Sequence, residues 1–169
     1  MHRFLLSLFV LYFASAGLIA QKTTINTTSL RYFHRGLDYF DKEKYTAAQN
    51  QFEKAMSTSE DLNSEVQINA RYYAALCGMQ LFNRDADLLL REFIRSNPES
   101  PKVKEAIFQL GIYNYRKKNW DNAIAWFSQV DKFDLSPNEQ SEYFFKYGYA
   151  SFQEKLVEDA KKKFYEIKD

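Results

Sequence analysis

One spacing pattern recurs four times along this chain. A small residue is followed twelve positions later by Ala, four later by an aromatic or Leu, and three later by an apolar residue. The copies are Gly36, Ala48, Phe52 and Ala55; Ala74, Ala86, Leu90 and Phe93; Gly111, Ala123, Phe127 and Val130; and Gly148, Ala160, Phe164 and Ile167. Successive copies are offset by 38, 37 and 37 residues with unchanged internal spacing. Self-similarity at a period of about 20–50 residues marks repeat architectures, in which each unit buries its apolar face on the next.

Each copy reads as two amphipathic helices around a short polar turn. Tyr32, Phe33, Gly36, Tyr39 and Phe40 recur at helical spacing, and Asp41 to Lys44 interrupts them. Tyr45, Ala48, Phe52, Ala55 and Met56 then resume the period. The runs 83–85, 118–119 and 153–155 interrupt the later copies at the same place. The fold predicted is all-α, with hairpins over 29–58, 64–96, 101–132 and 137–169 stacked as an α-solenoid. Ser100-Pro101 and Ser136-Pro137 supply a hydroxyl N-cap and a first-turn Pro, and Ser64 with Gln67 and Ser136 with Glu139 have capping-box spacing. The longer connections 58–63, 96–100 and 132–135 fall between copies and account for the period.

The small residues are expected where the two helices of a hairpin cross closely. Ala48 against Gly36 and Ala123 against Gly111 are the predicted pairings, with an aromatic filling the space beside them. Phe52, Phe127 and Phe164 are then predicted to carry packing between neighbouring hairpins.

On these residues the chain resembles the tetratricopeptide repeat family, whose signature is W-x2-L-G-x2-Y…A-x3-F…P over about 34 residues. Tyr32, Gly36, Tyr39, Ala48, Phe52 and Ala55 follow it in the first copy. Leu110, Gly111, Ala123 and Phe127 follow it in the third, and Gly148, Ala160 and Phe164 in the fourth. The second copy departs most, with Ala74 for Gly and Cys77 for Tyr, though Pro98 stands where the family has Pro. The resemblance covers about 29–169. The stretch from Phe93 through Pro98 to Pro101, followed by Ile107 to Gly111, is similar in style to the exported repeat proteins of outer-membrane assembly and Tol–Pal-type envelope coordination. A Cys suitable for lipid attachment, as in the assembly lipoproteins, is missing from the start of the chain.

The first twenty residues read as a secretory signal peptide: His2 and Arg3, an apolar run from Phe4 to Phe13, and the small residues Ala14-Ser15-Ala16-Gly17. Cleavage after Ala16 or after Ala20 fits, leaving a polar linker over 21–28. The apolar stretch 4–19 is shorter than the roughly 20 residues that span a bilayer. Without Arg3 the 23 Lys and Arg become 22, equal to the 22 Asp and Glu. Such a chain has no basic field for nucleic acid. Cys77 is the single thiol, so packing rather than disulfides must hold an exported fold together.

Catalytic constellations are missing. Of the two His residues, His2 leaves with the signal and His34 stands alone in a predicted solvent-facing position. The glycines are isolated, and Asp85 and Asp87 suit a helix N-terminus rather than a calcium loop. The expectation is a non-enzymatic protein with no cofactor, no metal and no small-molecule substrate.

In the tetratricopeptide family the first helix of each pair lines a concave groove, three residues before and one after the small residue. The resemblance implies Phe33, Leu37, Arg71, Ala75, Phe108, Ile112, Phe145 and Tyr149 there. The contact set is then Phe33, Leu37, Arg71, Phe108, Ile112, Phe145 and Tyr149, an aromatic groove with one Arg that would take an apolar, extended or helical protein segment. The plainer alternative is that Phe33, Phe108 and Phe145 pack between adjacent helices as core. Functionally, the sequence points to a protein–protein interaction scaffold of the bacterial cell envelope, periplasmic or held at the outer membrane through a partner. The alternatives are an envelope-assembly or division-coordination factor, or the docking or sensor front of a larger enzyme or transporter. Phe164 and Ile167 lack a covering helix, so the expectation is an array that continues past Asp169 or self-associates through its fourth copy.

Overall fold

A computed structural model describes residues 28–167. The expected signal peptide, and all but the last residue of the linker, lie outside the described residues. Among those described there are eight α-helices, one 3-10 turn and no strand. Helix α1 covers 28–41, α2 Tyr45–Ser57, α3 Glu65–Gln80, α4 Ala86–Ser96, α5 Lys102–Arg116, α6 Trp120–Phe127, α7 Pro137–Gln153 and α8 Val157–Tyr165. The 3-10 turn is Lys132–Asp134. The breaks between helices fall on the polar turns.

The four turns inside the pairs share one backbone solution. Glu43, Phe82, Lys118 and Lys155 all have positive φ, between 56° and 61°. In each turn the following amide returns to a carbonyl five residues back: Lys44 to Tyr39, Asn83 to Gly78, Asn119 to Asn114 and Leu156 to Ser151, each at 2.9 Å. Such bonds satisfy carbonyls left open at a helix C-terminus, usually with Gly in the left-handed position. Here that position carries Glu, Phe or Lys, which is why composition alone conceals it.

Helix starts follow the side chains. At α7, Ser136 and Glu139 form the predicted capping box: the Ser136 amide donates to Glu139 Oε2 at 2.8 Å, and the Glu139 amide to Ser136 Oγ at 3.4 Å. At α3, the Gln67 amide donates to Ser64 Oγ at 3.3 Å. At α5 the helix begins at Lys102, with Pro101 already in αR conformation and Ser100 Oγ accepting from the Lys102 amide. This boundary lies one residue beyond the predicted one.

The chain forms two compact units, one ending at Cys77 and the other beginning at Gly78. In the first, Phe33, Ala48, Phe52, Ala55, Ala70, Ala74 and Cys77 form the core. Phe52 is fully buried and stacks on Tyr73 of α3, with ring centroids 5.4 Å apart and planes 19° apart. Ser29 Oγ donates to the Ala55 carbonyl at 2.7 Å, which ties the start of α1 to the end of α2 without an orphaned hydroxyl. Burial pushes the Cys77 thiol up to about 12, so it behaves as a small hydrophobe.

In the second unit α4 packs on α5, α5 on α6, α6 on α7 and α7 on α8. Phe108, Ala123, Phe127, Tyr143, Phe144 and Ala150 form its core. Fully buried Phe127 stacks on Tyr147 of α7 at 5.8 Å and 29°, repeating the Phe52–Tyr73 contact. Phe52 and Phe127 thus carry the predicted packing onto the following helix. Tyr143 adds a hydrogen bond from its hydroxyl to the Phe127 carbonyl at 3.2 Å.

The predicted glycine pairings need correction. A β-carbon on Gly36 would stand 2.5 Å from Phe52 Cε1, and one on Gly111 would stand 2.5 Å from Phe127 Cδ1. The nearest neighbours are therefore the rings four residues beyond Ala48 and Ala123, not those alanines. The ring lies across the helix backbone and claims the volume that a side chain would need.

Candidate functional site

The predicted contact residues divide sharply by burial. Phe33 on α1 is 8% exposed and lies 5.8 Å from the Phe52 ring and 6.0 Å from Tyr73. Phe108 on α5 is 1% exposed and packs on Phe127 at 6.3 Å and Tyr143 at 6.5 Å. Both are core side chains, as the plainer alternative expects. Leu37 and Ile112 are half-buried against the cores of their respective units. Arg71 is half-buried on α3.

Phe145 differs: it is 51% exposed on α7. Its ring stacks on Tyr149, one turn on, at 6.3 Å and 25°, and meets Phe164 of α8 at 6.4 Å. Tyr149 in turn sits edge-on to Tyr115 at 5.8 Å and Trp120 at 5.7 Å. Tyr115 and Trp120 meet at 5.4 Å, closing a triangle of rings that clasps the turn between α5 and α6. Lys146 places its ammonium 4.8 Å over the Tyr115 ring, a cation–π contact on a half-buried face. Burial, with a smaller contribution from Tyr149, raises the Tyr115 pKa, so the Tyr115 hydroxyl stays protonated.

Around Phe145 the second unit exposes further apolar residues that the groove reading did not single out. Phe152 is 56% exposed, Val157 49% and Phe164 37%. Their signal was present in the sequence: they lie 37 residues after Tyr115, Trp120 and Phe127. Lys163, its pKa lowered chiefly by burial, precedes Phe164 on α8 and holds its ammonium 4.4 Å over the Tyr147 ring.

A separate cleft of about 530 Å³ opens in the same unit beside Ile107, Phe108, Val130 and Leu135. Acidic groups rim it, but each is engaged locally. Asp134 takes Lys104 at 2.6 Å, Glu105 takes Lys102 at 2.9 Å, Asp131 accepts from the Phe133 amide, and Glu139 serves the α7 cap. The cleft therefore offers a small apolar floor with a neutralised rim.

His34 is exposed, as expected, with Phe33 5.9 Å away. Asp85 precedes α4 without a side-chain capping bond, and Asp87 pairs with Arg91 at 3.0 Å. Among the described residues no three His, Cys, Asp or Glu side chains gather as a metal-binding group, and no helix is long and apolar enough to cross a membrane. In comparisons with known proteins, no family model and no curated protein matches the chain.

Proposed function

We propose that this protein is a non-enzymatic interaction module of tetratricopeptide-like helical repeats, exported to the cell envelope, that binds apolar or helical protein segments. The observation that carries the reading is the exposure of Phe145 beside Tyr149 on α7. Large apolar side chains left open on a helical face are a mark of protein contact sites. Within the second unit the contact surface centres on Phe145, with the edge of Tyr149 beside it. Phe108 supports it from the core, and Ile112 packs against that core from α5. Repeat arrays bind through such side chains, presented on a rigid scaffold.

The reading is tested by placing a photo-crosslinking phenylalanine analogue at Phe145 in cells, with a control at exposed Glu53. A protein cross-linked from position 145 and not from position 53 is the expected outcome. The absence of any protein adduct at 145 in folded protein overturns the reading. Export is tested on the same material: protein that stays in the cytosol with residues 1–20 attached removes the envelope assignment.

A further inference from the structure

Each turn inside a helix pair holds one residue in the left-handed region, and three of these are the charged Glu43, Lys118 and Lys155. The other is Phe82, at φ 57° and 57% exposed. A bulky side chain at positive φ is held against its backbone preference, and an aromatic ring left in water adds a second cost. Leu81, directly before it, is 37% exposed. The turn between α3 and α4 thus presents two adjacent apolar side chains to solvent, an outlier of the kind that marks functional sites.

The charge around this turn is unmatched. Arg116 lays its guanidinium 4.5 Å over the Phe82 ring and donates to Gln80 Oε1 at 2.9 Å. Lys117 donates to the Tyr113 hydroxyl at 3.3 Å, and that hydroxyl donates to the Asn83 carbonyl at 3.5 Å. These contacts join the turn after α3 and the end of α5 into one edge. Arg84 lies two residues from Phe82, Lys118 follows Lys117, and all four cations are exposed. Elsewhere in the second unit eight cations, from Arg91 to Lys162, each hold a carboxylate within 3.5 Å. Among the described residues, none of Arg84, Arg116, Lys117 and Lys118 takes part in such a pair. Within 81–85 and 116–119 the one carboxylate is Asp85, and Asp121, next along α6, hydrogen-bonds Glu154 of α7.

An apolar tip beside uncompensated cations matches the surface of an anionic bilayer. There phosphates take Arg and Lys, and an aromatic ring settles at headgroup depth. We infer that the edge formed by Leu81, Phe82, Arg84, Arg116 and Lys117 is a peripheral contact site for an anionic phospholipid membrane, with Phe82 inserted at the headgroup boundary. An acidic protein segment would meet the same charge, but it would need a recess for its own apolar side chains. Leu81 and Phe82 stand out on a turn, and the cleft of this unit is lined by none of the five residues. The edge shares no residue with the Phe145 surface and does not rest on the protein-binding reading.

The test is co-sedimentation of the purified chain with vesicles of phosphatidylcholine alone and of phosphatidylcholine mixed with phosphatidylglycerol. Residues 1–27 are common to all variants, so any binding they add is the same in each comparison. Stronger binding to the anionic vesicles, weakening as salt rises, is expected. Arg84→Gln combined with Lys117→Gln should weaken it about 25-fold, at about fivefold for each cation near the surface. Phe82→Asn puts a residue tolerant of positive φ in place of the ring, and should weaken binding about fivefold with circular dichroism unchanged. If the fold is disturbed, Leu81→Ser takes its place with the same expectation. Lys161→Gln combined with Lys162→Gln removes equal charge from α8 and should leave binding as it was.

Equal binding to both kinds of vesicle, or none to the anionic ones, overturns the proposal. So does binding that survives either turn variant, or that falls as far with the α8 pair as with Arg84 and Lys117. An acidic protein cross-linked from position 82, with no vesicle binding, makes a protein segment the occupant and also overturns it.

Discussion

Phe127 lies flat against Gly111, so close that a β-carbon there would stand within 2.5 Å of its Cδ1. The ring is fully buried, stacked on Tyr147 and packed on Phe108 and Tyr143, so it has no free direction in which to yield. Gly111→Ala gains about 1 kcal/mol in helix propensity but meets an overpacking cost of about 1–3 kcal/mol. We expect a net loss of stability in urea denaturation, and the same for Gly36→Ala against Phe52. Gly148→Ala should be milder, because Phe164 is 37% exposed and its ring can swing outward. Adding Phe127→Leu to Gly111→Ala should recover part of the Gly111→Ala loss.

The left-handed turn residues give a prediction of opposite sign. Lys118 and Lys155 hold φ of 58° and 61°, a conformation that costs a residue with a β-carbon about 1–2 kcal/mol. Both side chains are exposed. Lys118→Gly and Lys155→Gly should each stabilise the protein by up to about 1 kcal/mol, after allowing for glycine's greater freedom in the unfolded chain. Phe82 should not follow them, since its ring carries Arg116 at 4.5 Å and glycine would remove that contact. Thermal melts of the three variants decide the matter.

Helix placement is legible because apolar periodicity and polar turns agree at each copy, with the Ser136 cap added at the fourth, and propensity has nothing opposing it there. The glycine partner was misread because spacing gives the face of a helix but not the reach of a side chain: Phe127 extends back over the preceding turn to Gly111, past Ala123. The shared left-handed turns were hidden because their positions carry Glu43, Phe82, Lys118 and Lys155 in place of Gly or Asn. Of the contact residues, Phe33 and Phe108 could not be told from Phe145 by pattern. All three occupy one register position, and only the presence of a covering helix separates buried from exposed.

That difference in cover also sets the cost of truncation. Phe52→Ala and Phe127→Ala each remove a fully buried ring and should cost about 3–5 kcal/mol. Phe164 fills the same place on Gly148 but is 37% exposed, so Phe164→Ala should cost well under half as much. Equal losses at the three positions in chemical denaturation would contradict the exposure difference.

Alkaline pH should destabilise the fold well before lysines titrate fully. Burial pushes the Cys77 thiol from 9.0 up to about 12. Burial, then Tyr147, Asp131 and Glu166, push the Tyr143 hydroxyl from 10.0 up to about 12. For an acid whose folded pKa lies above its unfolded one, the native state holds more protons between the two values. Stability is therefore full below the unfolded pKa and falls as pH rises toward the folded one. The midpoint of thermal unfolding should be flat from pH 7 to about 8.5 and drop through pH 9–12, an onset set by the unfolded Cys and Tyr values. Tyr143→Phe loses the hydroxyl bond to the Phe127 carbonyl, about 1 kcal/mol at neutral pH. It should also flatten the part of the fall above pH 10, whereas a purely structural loss would lower the whole curve without changing its slope.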